Sequence, residues 1–347
     1  MYNDVIQVLN SYGIQGDLTI SPRDDGSINR TFIAIENKSQ KGFVTQELHS
    51  MFPEDHVRDI FEISSFLRGK NLMCPTLVTS SDGALIKRFN EKIWRVFQYI
   101  PGCTNETGLT PSQAYSAGQL VGKFHDSMRY FPGNLKYSIP HFHDTEYYMQ
   151  RLQEVSAEYE GSPKYTSLQS AIDFVVNEYR GVGLTLDSLP IRLIHGDLKV
   201  NNILFDEKNV SAVAILDLDT VMRKSIVVDL GDAVRTWCGK VSEKGQVSFD
   251  MGILKAMLEG YASTAIFLSN KEWMSVFDGI RLLFLEITAR YLTDAMEESY
   301  FKLDVRNFSS LYEQYSYKAN CQITLYRQIL SRKKEISELL QTLAKTT

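Results

Sequence analysis

The chain contains the stretch His195-Gly196-Asp197-Leu198-Lys199-Val200-Asn201-Asn202, which leads directly into the apolar run 203–205. Within this stretch an aspartate is followed five positions later by an asparagine, which places a base and a metal ligand on one loop. A second carboxylate, Asp217, comes fifteen residues after Asn202 at the end of another short apolar run. This combination and its spacing predict a catalytic loop for magnesium-dependent phosphoryl transfer to a hydroxyl group.

Each polar side chain of this constellation has an expected role. Asp197 orients the attacking hydroxyl and accepts its proton, and Lys199 offsets negative charge on the transferring phosphoryl group. Asn202 and Asp217 supply oxygen ligands to Mg²⁺, which leaves its remaining positions to water and to nucleotide phosphates. His195 is expected to hold the loop backbone in place rather than to take part in the reaction.

The overall composition limits the class of protein. The chain has 347 residues, of which 44% are hydrophobic and 23% are charged, and its net charge is −5. This length exceeds one typical hydrophobic core, so two lobes are expected. The negative charge and the lack of a basic stripe argue against a nucleic-acid partner. The four cysteines show no Cys-x-x-Cys spacing, which predicts reduced and mostly packed thiols.

The sequence also bears on location and partners. The N-terminus lacks a basic region followed by an apolar run, and no segment reaches transmembrane length. We therefore expect a cytoplasmic protein without membrane contact. No feature of the chain indicates an obligate protein partner.

The apolar pattern predicts an α+β fold of two lobes, with a small, mainly β N-terminal lobe over 1–100 and a larger, mainly helical C-terminal lobe over 101–347. In the first lobe a β-hairpin is expected over 29–48, and its one helix should run from Pro53 to Gly69. Pro101-Gly102 breaks the pattern and marks the interlobe hinge. Three more apolar runs complete a small sheet, and they lie at 75–78, 84–86 and 93–100.

Helical periodicity dominates the second lobe. It begins after the start signal Thr110-Pro111, two further helices are expected at 145–159 and 165–179, and the region from 227 to the end is almost entirely helical in pattern. The last segment carries an apolar stripe that favours packing into the core over a dimer seam. This stripe consists of Ile323, Tyr326, Leu330, Ile336, Leu340 and Leu343.

Several segments outside the loop carry a resemblance to a known family. They are Gly26-Ser27-Ile28-Asn29, His141-Phe142-His143-Asp144-Thr145, Asp217-Leu218-Asp219-Thr220-Val221-Met222, Asp229-Leu230-Gly231-Asp232-Ala233-Val234-Arg235, and Arg290-Tyr291-Leu292 with Tyr300-Phe301. With these segments the chain resembles the aminoglycoside phosphotransferase and choline kinase-like superfamily, and within it most closely the N-acetylhexosamine 1-kinases. The resemblance implies a variant of the two-lobe protein-kinase fold, with the nucleotide bound by the N-terminal lobe.

The resemblance also implies an activity. It is the ATP- and magnesium-dependent phosphorylation of the anomeric hydroxyl of N-acetylglucosamine or N-acetylgalactosamine, an enzyme function in carbohydrate metabolism. Carried over by motif, Asp219, Thr220, Arg290 and Tyr300 line the sugar site. A neutral sugar requires directional hydrogen-bonding groups and an aromatic face, which these side chains offer. An arginine at this place would repel a polycationic aminoglycoside.

The expected nucleotide site departs from that of protein kinases. The strand 43–48 has no lysine to hold the phosphates, and the resemblance implies that Gln46 lies near the nucleotide instead. Lys87 or Arg88 could contribute the charge. The loop 24–29 has a single glycine and cannot cradle phosphates as a glycine-rich loop does. Phosphate contacts are therefore expected mainly from Lys199, magnesium and backbone amides.

The segment before the hinge completes the expected nucleotide site. Gln98, Tyr99 and Ile100 end the last strand of the first lobe, so their backbone can meet the adenine ring while the strand stays part of the sheet. Glu62 could mirror the ion-pairing glutamate of kinases, although a solvated role is about equally expected without the lysine partner.

Other polar residues have structural interpretations. His141 and His143 lack a third well-spaced ligand for a metal site, and Asp144 reads as the N-cap of the following helix. Asp229 and Asp232 are expected to bond to the catalytic-loop backbone or to act as caps.

Two other functions stay open. The first is a kinase of the same superfamily that acts on a different sugar, an amino alcohol or an aminoglycoside. The second is a non-catalytic nucleotide- or sugar-binding protein, which the missing strand lysine would explain. The intact set of Asp197, Asn202 and Asp217 favours an enzyme.

Overall fold

The computed structural model describes residues 2–23, 29–106, 108–182, 186, 188–242 and 245–346. The chain has an α+β fold with a β-rich N-terminal lobe and a larger helical C-terminal lobe, as the sequence predicts. The loop expected at 24–29 therefore lies outside the described residues except for Asn29.

The N-terminal lobe is built around an antiparallel sheet. Its elements are α1 (Tyr2–Ser11), β1 (Leu18–Arg23), β2 (Arg30–Glu36), β3 (Gly42–Leu48), α2 (Glu54–Gly69), β4 (Lys87–Phe89) and β5 (Lys92–Gln98). In the described part of the chain the five strands lie in the order β1-β2-β3-β5-β4. One face of this sheet packs against α1, where Val5, Val8 and Leu9 are buried against Phe32 and Trp94. The alternation of apolar residues that predicts the hairpin is thus the pattern of one buried face.

Three details of this lobe differ from the predictions. The sequence predicts one helix in this lobe, but the described part of the structure has two, because α1 was not predicted. The run 75–78 contacts β5 only through two backbone hydrogen bonds, from Val78 to Val96 and from Gln98 to Thr76, because Pro75 cannot donate to a ladder. The run 84–86 closes a turn, since Ala84 O accepts from Ser80 N, and the strand begins only at β4.

Helix α2 packs against the C-terminal lobe rather than against the small sheet core. It begins after Pro53, as predicted, and its buried residues Val57, Ile60 and Leu67 belong to the large core. The Asp59 carboxylate accepts hydrogen bonds from the backbone of the segment that follows α3, at Lys136 N (2.7 Å) and Tyr137 N (3.0 Å). The helix therefore ties the two lobes together.

The C-terminal lobe consists mainly of helices, with short strand pairs around the catalytic loop. Its elements are β6 (Cys103–Thr104), α3 (Pro111–Met128), α4 (Thr145–Glu158), α5 (Pro163–Arg180), β7 (Arg192–Ile194), β8 (Ile203–Phe205), β9 (Ala212–Ile215), β10 (Met222–Lys224), α6 (Ile226–Trp237), β11 (Gly239–Val241), β12 (Val247–Phe249), α7 (Met251–Ala262), α8 (Asn270–Glu297), α9 (Leu311–Ser331) and α10 (Lys333–Thr346). The sheet β6-β8-β9 and the pair β7-β10 flank the loop between β7 and β8.

The predicted helices at 145–159 and 165–179 and the start after Thr110 are confirmed with small shifts, but the region from 227 to the end is less helical than predicted, because the β11–β12 hairpin and the segment 298–310 interrupt it. Thr110 caps α3 through a reciprocal pair with Gln113, and the apolar stripe of the last segment lies in the core on α9 and α10. Arg332 separates these two helices. Cys74, Cys238 and Cys321 are buried free thiols, whereas the free thiol of Cys103 is exposed. Among the described residues no helix is both long and apolar enough to span a membrane.

Helices α3 and α7 approach each other through glycines. A Cβ at Gly118 would lie 2.2 Å from Met257 O, and a Cβ at Gly260 would lie 2.0 Å from Tyr115 O. These distances are shorter than any van der Waals contact, so the two backbones touch directly. The close packing fixes the far end of α3, which carries His125 into the site described below.

We expect Gly118→Ala to lower the free energy of unfolding by about 2 kcal/mol, because the added methyl group must push α3 and α7 apart. Gly69→Ala is the matched control, since a Cβ at this helix-end glycine meets nothing within 4 Å. Urea titrations of both variants check the prediction. Equal stability of the two variants would contradict the close approach.

Candidate active site

The catalytic loop is held from one side by Asp229 on α6. The Asp229 Oδ2 accepts a hydrogen bond from His195 N (2.6 Å), and its Oδ1 accepts one from Gly196 N (2.7 Å). This confirms the predicted backbone role of Asp229. Gly196 has a φ of +84°, and a Cβ there would lie 2.4 Å from Thr220 O, so the position requires glycine.

Asp229 is supported in turn by His125 from α3. His125 Nε2 donates to Asp229 Oδ2 (2.9 Å), and Nδ1 lies 3.0 Å from the Tyr261 hydroxyl. Burial acts to raise the pKa of Asp229, but the hydrogen bond and charge of His125 outweigh it and lower that pKa. No local sequence signal marks His125, because it precedes Asp229 by 104 residues.

A second buried pair holds the same glycine from the other side. His143 Nε2 donates to Gly196 O (2.6 Å), and Nδ1 donates to Glu286 Oε1 (3.0 Å). Both ring nitrogens face acceptors, so the ring carries two protons. Burial acts to lower the pKa of His143, but the Glu286 carboxylate outweighs it and the pKa is raised to about 9. Glu286 also accepts from the Thr145 hydroxyl (2.6 Å).

The histidines at 141 and 143 thus have the structural roles that the sequence favours. Asp144 caps α4 by accepting from Tyr147 N (3.2 Å). Within the described ranges no group of three or more His, Cys, Asp or Glu side chains is arranged to hold a metal. A magnesium site here would therefore rely on a carboxylate, an amide and ligands from the nucleotide or water.

Asp197 is ionised and partly accessible. Its Oδ2 accepts hydrogen bonds from Lys199 Nζ (2.6 Å) and Asn202 Nδ2 (3.1 Å). Burial acts to raise the pKa of Asp197, but the charge and hydrogen bond of Lys199 outweigh it and lower the pKa. The pKa of Lys199 is raised by the same pair against its own desolvation. No described residue donates to Asp197 Oδ1, which is left to accept a proton from a bound hydroxyl.

Asn202 and Asp217 have oxygens suited to a metal. The Asn202 Nδ2 donates to Asp197 O (2.8 Å), which leaves its Oδ1 as the free acceptor. The Asp217 carboxylate accepts no hydrogen bond from the described residues. Desolvation is the largest factor that raises the pKa of Asp217, even though its side chain is accessible to solvent. The negative charges of Asp219 and Asp197 raise this pKa further. A bound cation would relieve this repulsion, so the residues fit Mg²⁺.

Asp219 forms a buried ion pair with the N-terminal lobe. Arg95 on β5 donates from Nη1 to Oδ1 (2.7 Å) and from Nη2 to Oδ2 (2.6 Å). His56 Nε2 on α2 (3.2 Å) and Asn29 Nδ2 (3.0 Å) add two more contacts to the carboxylate. Burial acts to raise the pKa of Asp219, but Arg95 and then His56 outweigh it and hold the pKa well below its usual range.

Thr220 is also engaged within the protein. Its hydroxyl donates to His195 O (2.9 Å), next to the contact that Gly196 makes with the Thr220 backbone. His195 itself donates from Nε2 to Leu216 O (2.8 Å) and accepts at Nδ1 from Asp197 N (3.2 Å), which confirms its structural role. The sugar contacts expected of Asp219 and Thr220 stay predictions.

Gln46 lies beside a buried cation that sequence reasoning missed. It pairs with Arg95 across β3 and β5, and its Oε1 accepts from Arg95 Nε (2.9 Å). The alternatives named from the sequence lie elsewhere, since Lys87 pairs with Asp82 (2.6 Å) and Arg88 is exposed on the edge strand β4. The available signal was an arginine within the otherwise apolar core of β5. Glu62 is exposed on α2 and does not mirror the kinase glutamate.

The end of β5 leaves one residue with a free backbone. Gln98 N donates to Thr76 O (2.9 Å), and Tyr99 N donates to Gly42 O (3.0 Å). The described residues form no backbone hydrogen bond with Ile100. Of the three residues expected at the adenine, Ile100 is therefore the one whose N–H is available.

Arg290 on α8 and Tyr300, which follows the end of that helix, contact each other. The Arg290 guanidinium lies 4.7 Å from the Tyr148 ring centroid and 5.4 Å from that of Tyr300. Its Nη2 also donates to the Tyr300 hydroxyl (3.2 Å). Asp294 fixes the Tyr300 segment by accepting from Tyr300 N (2.6 Å) and Phe301 N (3.1 Å).

Arg235 and Asp232 on α6 connect this aromatic group to the loop. Arg235 donates twice to Asp232 Oδ1, at 3.1 Å and 2.6 Å, and its charge is one of the smaller factors that lower the pKa of Asp197. Burial raises the pKa of Tyr291, and the Arg235 and Arg290 charges act against this rise. Asp232 Oδ2 is buried without a hydrogen-bond partner among the described residues. Asp232 therefore bonds Arg235 instead of the loop backbone.

Residues 19–267 match the phosphotransferase enzyme family APH. The chain belongs to this family of phosphotransferase enzymes.

Solved structures with the same fold cover nearly the whole chain. An aminoglycoside phosphotransferase from Alicyclobacillus acidocaldarius superposes with a TM-score of 0.65 at 15% identity, over 96% of each chain. A microcompartment-associated aminopropanol kinase gives 0.64 at 19% identity, over 97% of this chain and 99% of that one. A choline kinase from Cryptosporidium parvum gives 0.59 at 13% identity, over 99% of each chain. At these identities the likeness concerns the fold.

The His143–Glu286 pair predicts a pH dependence of stability. Because the pKa of His143 is raised from 6.5 to about 9, its contribution is complete below about pH 6.5 and is lost as the pH rises through about 9. Over this pH interval the free energy of unfolding should fall by about 3 kcal/mol more in wild type than in the His143→Gln variant. Urea titrations at several pH values check this. The exposed His141 provides a control, since His141→Gln should follow wild type, and parallel curves for all three proteins would contradict the charged pair.

Proposed function

We propose that the protein is an ATP- and Mg²⁺-dependent kinase that phosphorylates the anomeric hydroxyl of an N-acetylhexosamine to give the sugar 1-phosphate. The observation that carries the transfer chemistry is the ionised Asp197, whose Oδ1 is open while Lys199 and Asn202 fix its Oδ2. The choice of N-acetylglucosamine or N-acetylgalactosamine and of the anomeric position rests on the sequence resemblance.

Asp197 would act as the base. The acceptor hydroxyl donates its hydrogen bond to Oδ1, and the proton moves to Asp197 as the hydroxyl oxygen forms its bond to the γ-phosphorus. The bond between this phosphorus and the β,γ-bridging oxygen breaks, and ADP leaves with that oxygen. Lys199 stays ionised beside Asp197 and offsets the charge on the transferring group.

The nucleotide would bind where the lobes meet, with residues 1–100 as the nucleotide-binding lobe and 101–347 as the catalytic and substrate-binding lobe. Asn202 Oδ1 and the Asp217 carboxylate would hold Mg²⁺, which neutralises charge on the nucleotide phosphates when bound. Ile100 would meet the adenine through its free backbone groups. Gln98 and Tyr99 would contribute through their side chains, since their N–H groups are already bonded.

The charges around the acceptor side favour a neutral substrate. A quaternary ammonium next to Tyr148 and Tyr300 would meet the like charge of Arg290, which already lies over both rings. The cationic Arg235 and the imidazolium of His143 balance the nearby carboxylates. Asp232 Oδ2 is buried without a partner among the described residues, and a sugar hydroxyl would bond to it only after the neighbouring side chains move aside.

Direct sugar contacts are assigned first to Arg290 and Tyr300. Both present polar groups near the surface of the site, whereas the side chains of Asp219 and Thr220 are committed to Arg95 and to the loop. Asp219 and Thr220 remain in the proposed set as residues that shape the site next to the reacting hydroxyl.

An amino alcohol is the second candidate acceptor. Asp232 Oδ2 is buried without a partner among the described residues, and it could pair with an ammonium as well as with a hydroxyl. This is the one observation that favours an amino alcohol. A non-catalytic binding protein is disfavoured by the ionised Asp197 and its ordered loop.

An ADP-release assay with Mg²⁺ and ATP tests the proposal across N-acetylglucosamine, N-acetylgalactosamine, glucose, aminopropanol, choline and kanamycin. We expect turnover of the two N-acetylated sugars, and Asp197→Asn should lower it by about 10³-fold while sugar binding persists. Turnover confined to an amino alcohol or kanamycin would reject the sugar assignment. No turnover with any acceptor would favour the binding protein.

Replacing the cation above the aromatic rings should change specificity. We expect Arg290→Met to lower kcat/KM for the N-acetylated sugars by about 10- to 100-fold, because a directional donor is lost while the apolar stem remains. Arg327→Met is the matched control. Arg327 lies on the distant helix α9, and its guanidinium stacks 4.7 Å from the ring centroid of Phe174. Equal kcat/KM values for the two variants would remove Arg290 from the acceptor site.

A further inference from the structure

The buried Arg95 lies on β5, directly opposite Gln46 of the strand that lacks the lysine. We propose that Arg95, paired with Asp219, positions the metal-binding Asp217 and so couples the N-terminal sheet to the magnesium site. The inference rests on the proposed Mg²⁺–ATP site and does not depend on the identity of the acceptor.

The guanidinium of Arg95 is fixed from every side. The residue is only 2% exposed, its three nitrogens are bonded to Gln46 and Asp219, and its plane lies 4.8 Å from the Phe97 ring centroid. Two parallel hydrogen bonds to one carboxylate require the fork of an arginine, which a lysine cannot reproduce. With every nitrogen engaged inside the protein, Arg95 acts on Asp219 rather than as a free phosphate ligand.

Asp219 collects contacts from three parts of the N-terminal lobe. Besides Arg95 on β5, His56 on α2 and Asn29, the residue before β2, contact its carboxylate. His56 is itself held by the Phe52 ring, stacked at a centroid distance of 4.7 Å. The carboxylate is thus the point at which the sheet, the helix and the start of the hairpin meet the C-terminal lobe.

Asp219 in turn controls the backbone of Asp217. The two residues are separated by one position, and Asp217 has a φ of +60°, a left-handed conformation that is uncommon for residues other than glycine, although aspartate is among those that adopt it most readily. Such a conformation persists only where its neighbours are fixed. On one side β9 ends at Ile215, and on the other side the turn at 218–220 is held by the Asp219 pair and by Thr220.

The pair also sets the charge near the metal site. An unpaired Asp219 would place a second uncompensated carboxylate beside Asp217, and it would stay buried. The guanidinium of Arg95 offsets part of that charge, so the repulsion on Asp217 is smaller with the pair than without it. Outer partners of this kind typically change metal affinity by about 10- to 100-fold when removed.

The test measures metal-dependent nucleotide binding in the full-length protein without acceptor. A fluorescent ATP analogue is titrated at increasing Mg²⁺ with wild type, Arg95→Gln, Asp219→Asn, the double variant and Lys92→Gln. Lys92 lies on the same strand and pairs with Glu47 at 3.0 Å near the surface, so it serves as the matched control.

We expect each single variant at Arg95 or Asp219 to require about 10- to 100-fold more Mg²⁺ for half-maximal nucleotide binding. The double variant should require at most about threefold more Mg²⁺ than the more strongly affected single variant, because the two residues act as one unit. Lys92→Gln should stay within about twofold of wild type.

Thermal unfolding keeps the test valid if a single variant folds poorly. The double variant leaves neither charge uncompensated in the interior, so it should have a higher midpoint than either single variant. Three results would overturn the proposal: wild-type Mg²⁺ dependence in the folded single variants, losses that multiply in the double variant, or an equal loss for Arg95→Gln with and without Mg²⁺.

Failure of the sugar assignment gives a different result. If wild type binds the nucleotide with Mg²⁺ but turns over no N-acetylated sugar, only the acceptor is wrong. If wild type shows no Mg²⁺-dependent nucleotide binding, the proposed nucleotide site and this inference both fail.

Discussion

The ion pair between Arg95 and Asp219 joins the two lobes at the place where the chemistry is expected. Burying two opposite charges is costly unless nearly all their hydrogen-bonding groups are satisfied. Here Gln46 adds a third hydrogen bond to the guanidinium, and His56 and Asn29 add two contacts to the carboxylate. Because separating Arg95 from Asp219 leaves an unpaired buried charge, the turn after Asp217 is expected to keep one arrangement relative to the sheet.

Two further buried pairs hold the catalytic loop, and both bond to the backbone of Gly196. Asp229 binds the N–H of Gly196, and His143 binds its C=O, so the glycine is fixed at both ends. Each pair is anchored on a different helix of the C-terminal lobe. Asp229 is backed by His125 on α3, which the glycine packing with α7 holds in place, and His143 is backed by Glu286 on α8. Helical packing at a distance thus determines the geometry around Asp197.

Features that are local in sequence could be predicted from it. The spacing of Asp197, Asn202 and Asp217 indicated the loop, and periodicity indicated the hairpin and most of the helices. Long-range pairs could not be predicted, because Arg95 and Asp219 are 124 residues apart and His125 and Asp229 are 104 apart. The missing strand lysine was visible, but the buried arginine on the neighbouring strand is located only by the antiparallel register of Gln46 and Arg95.

The central claim concerns which oxygen receives the phosphoryl group, and ³¹P NMR of the reaction mixture tests it most directly. With N-acetylglucosamine, ATP and Mg²⁺, the account predicts a new phosphate resonance split by the single anomeric proton, together with loss of the reducing end. A phosphate resonance split by the two protons of a primary carbinol, with the reducing end intact, would contradict it.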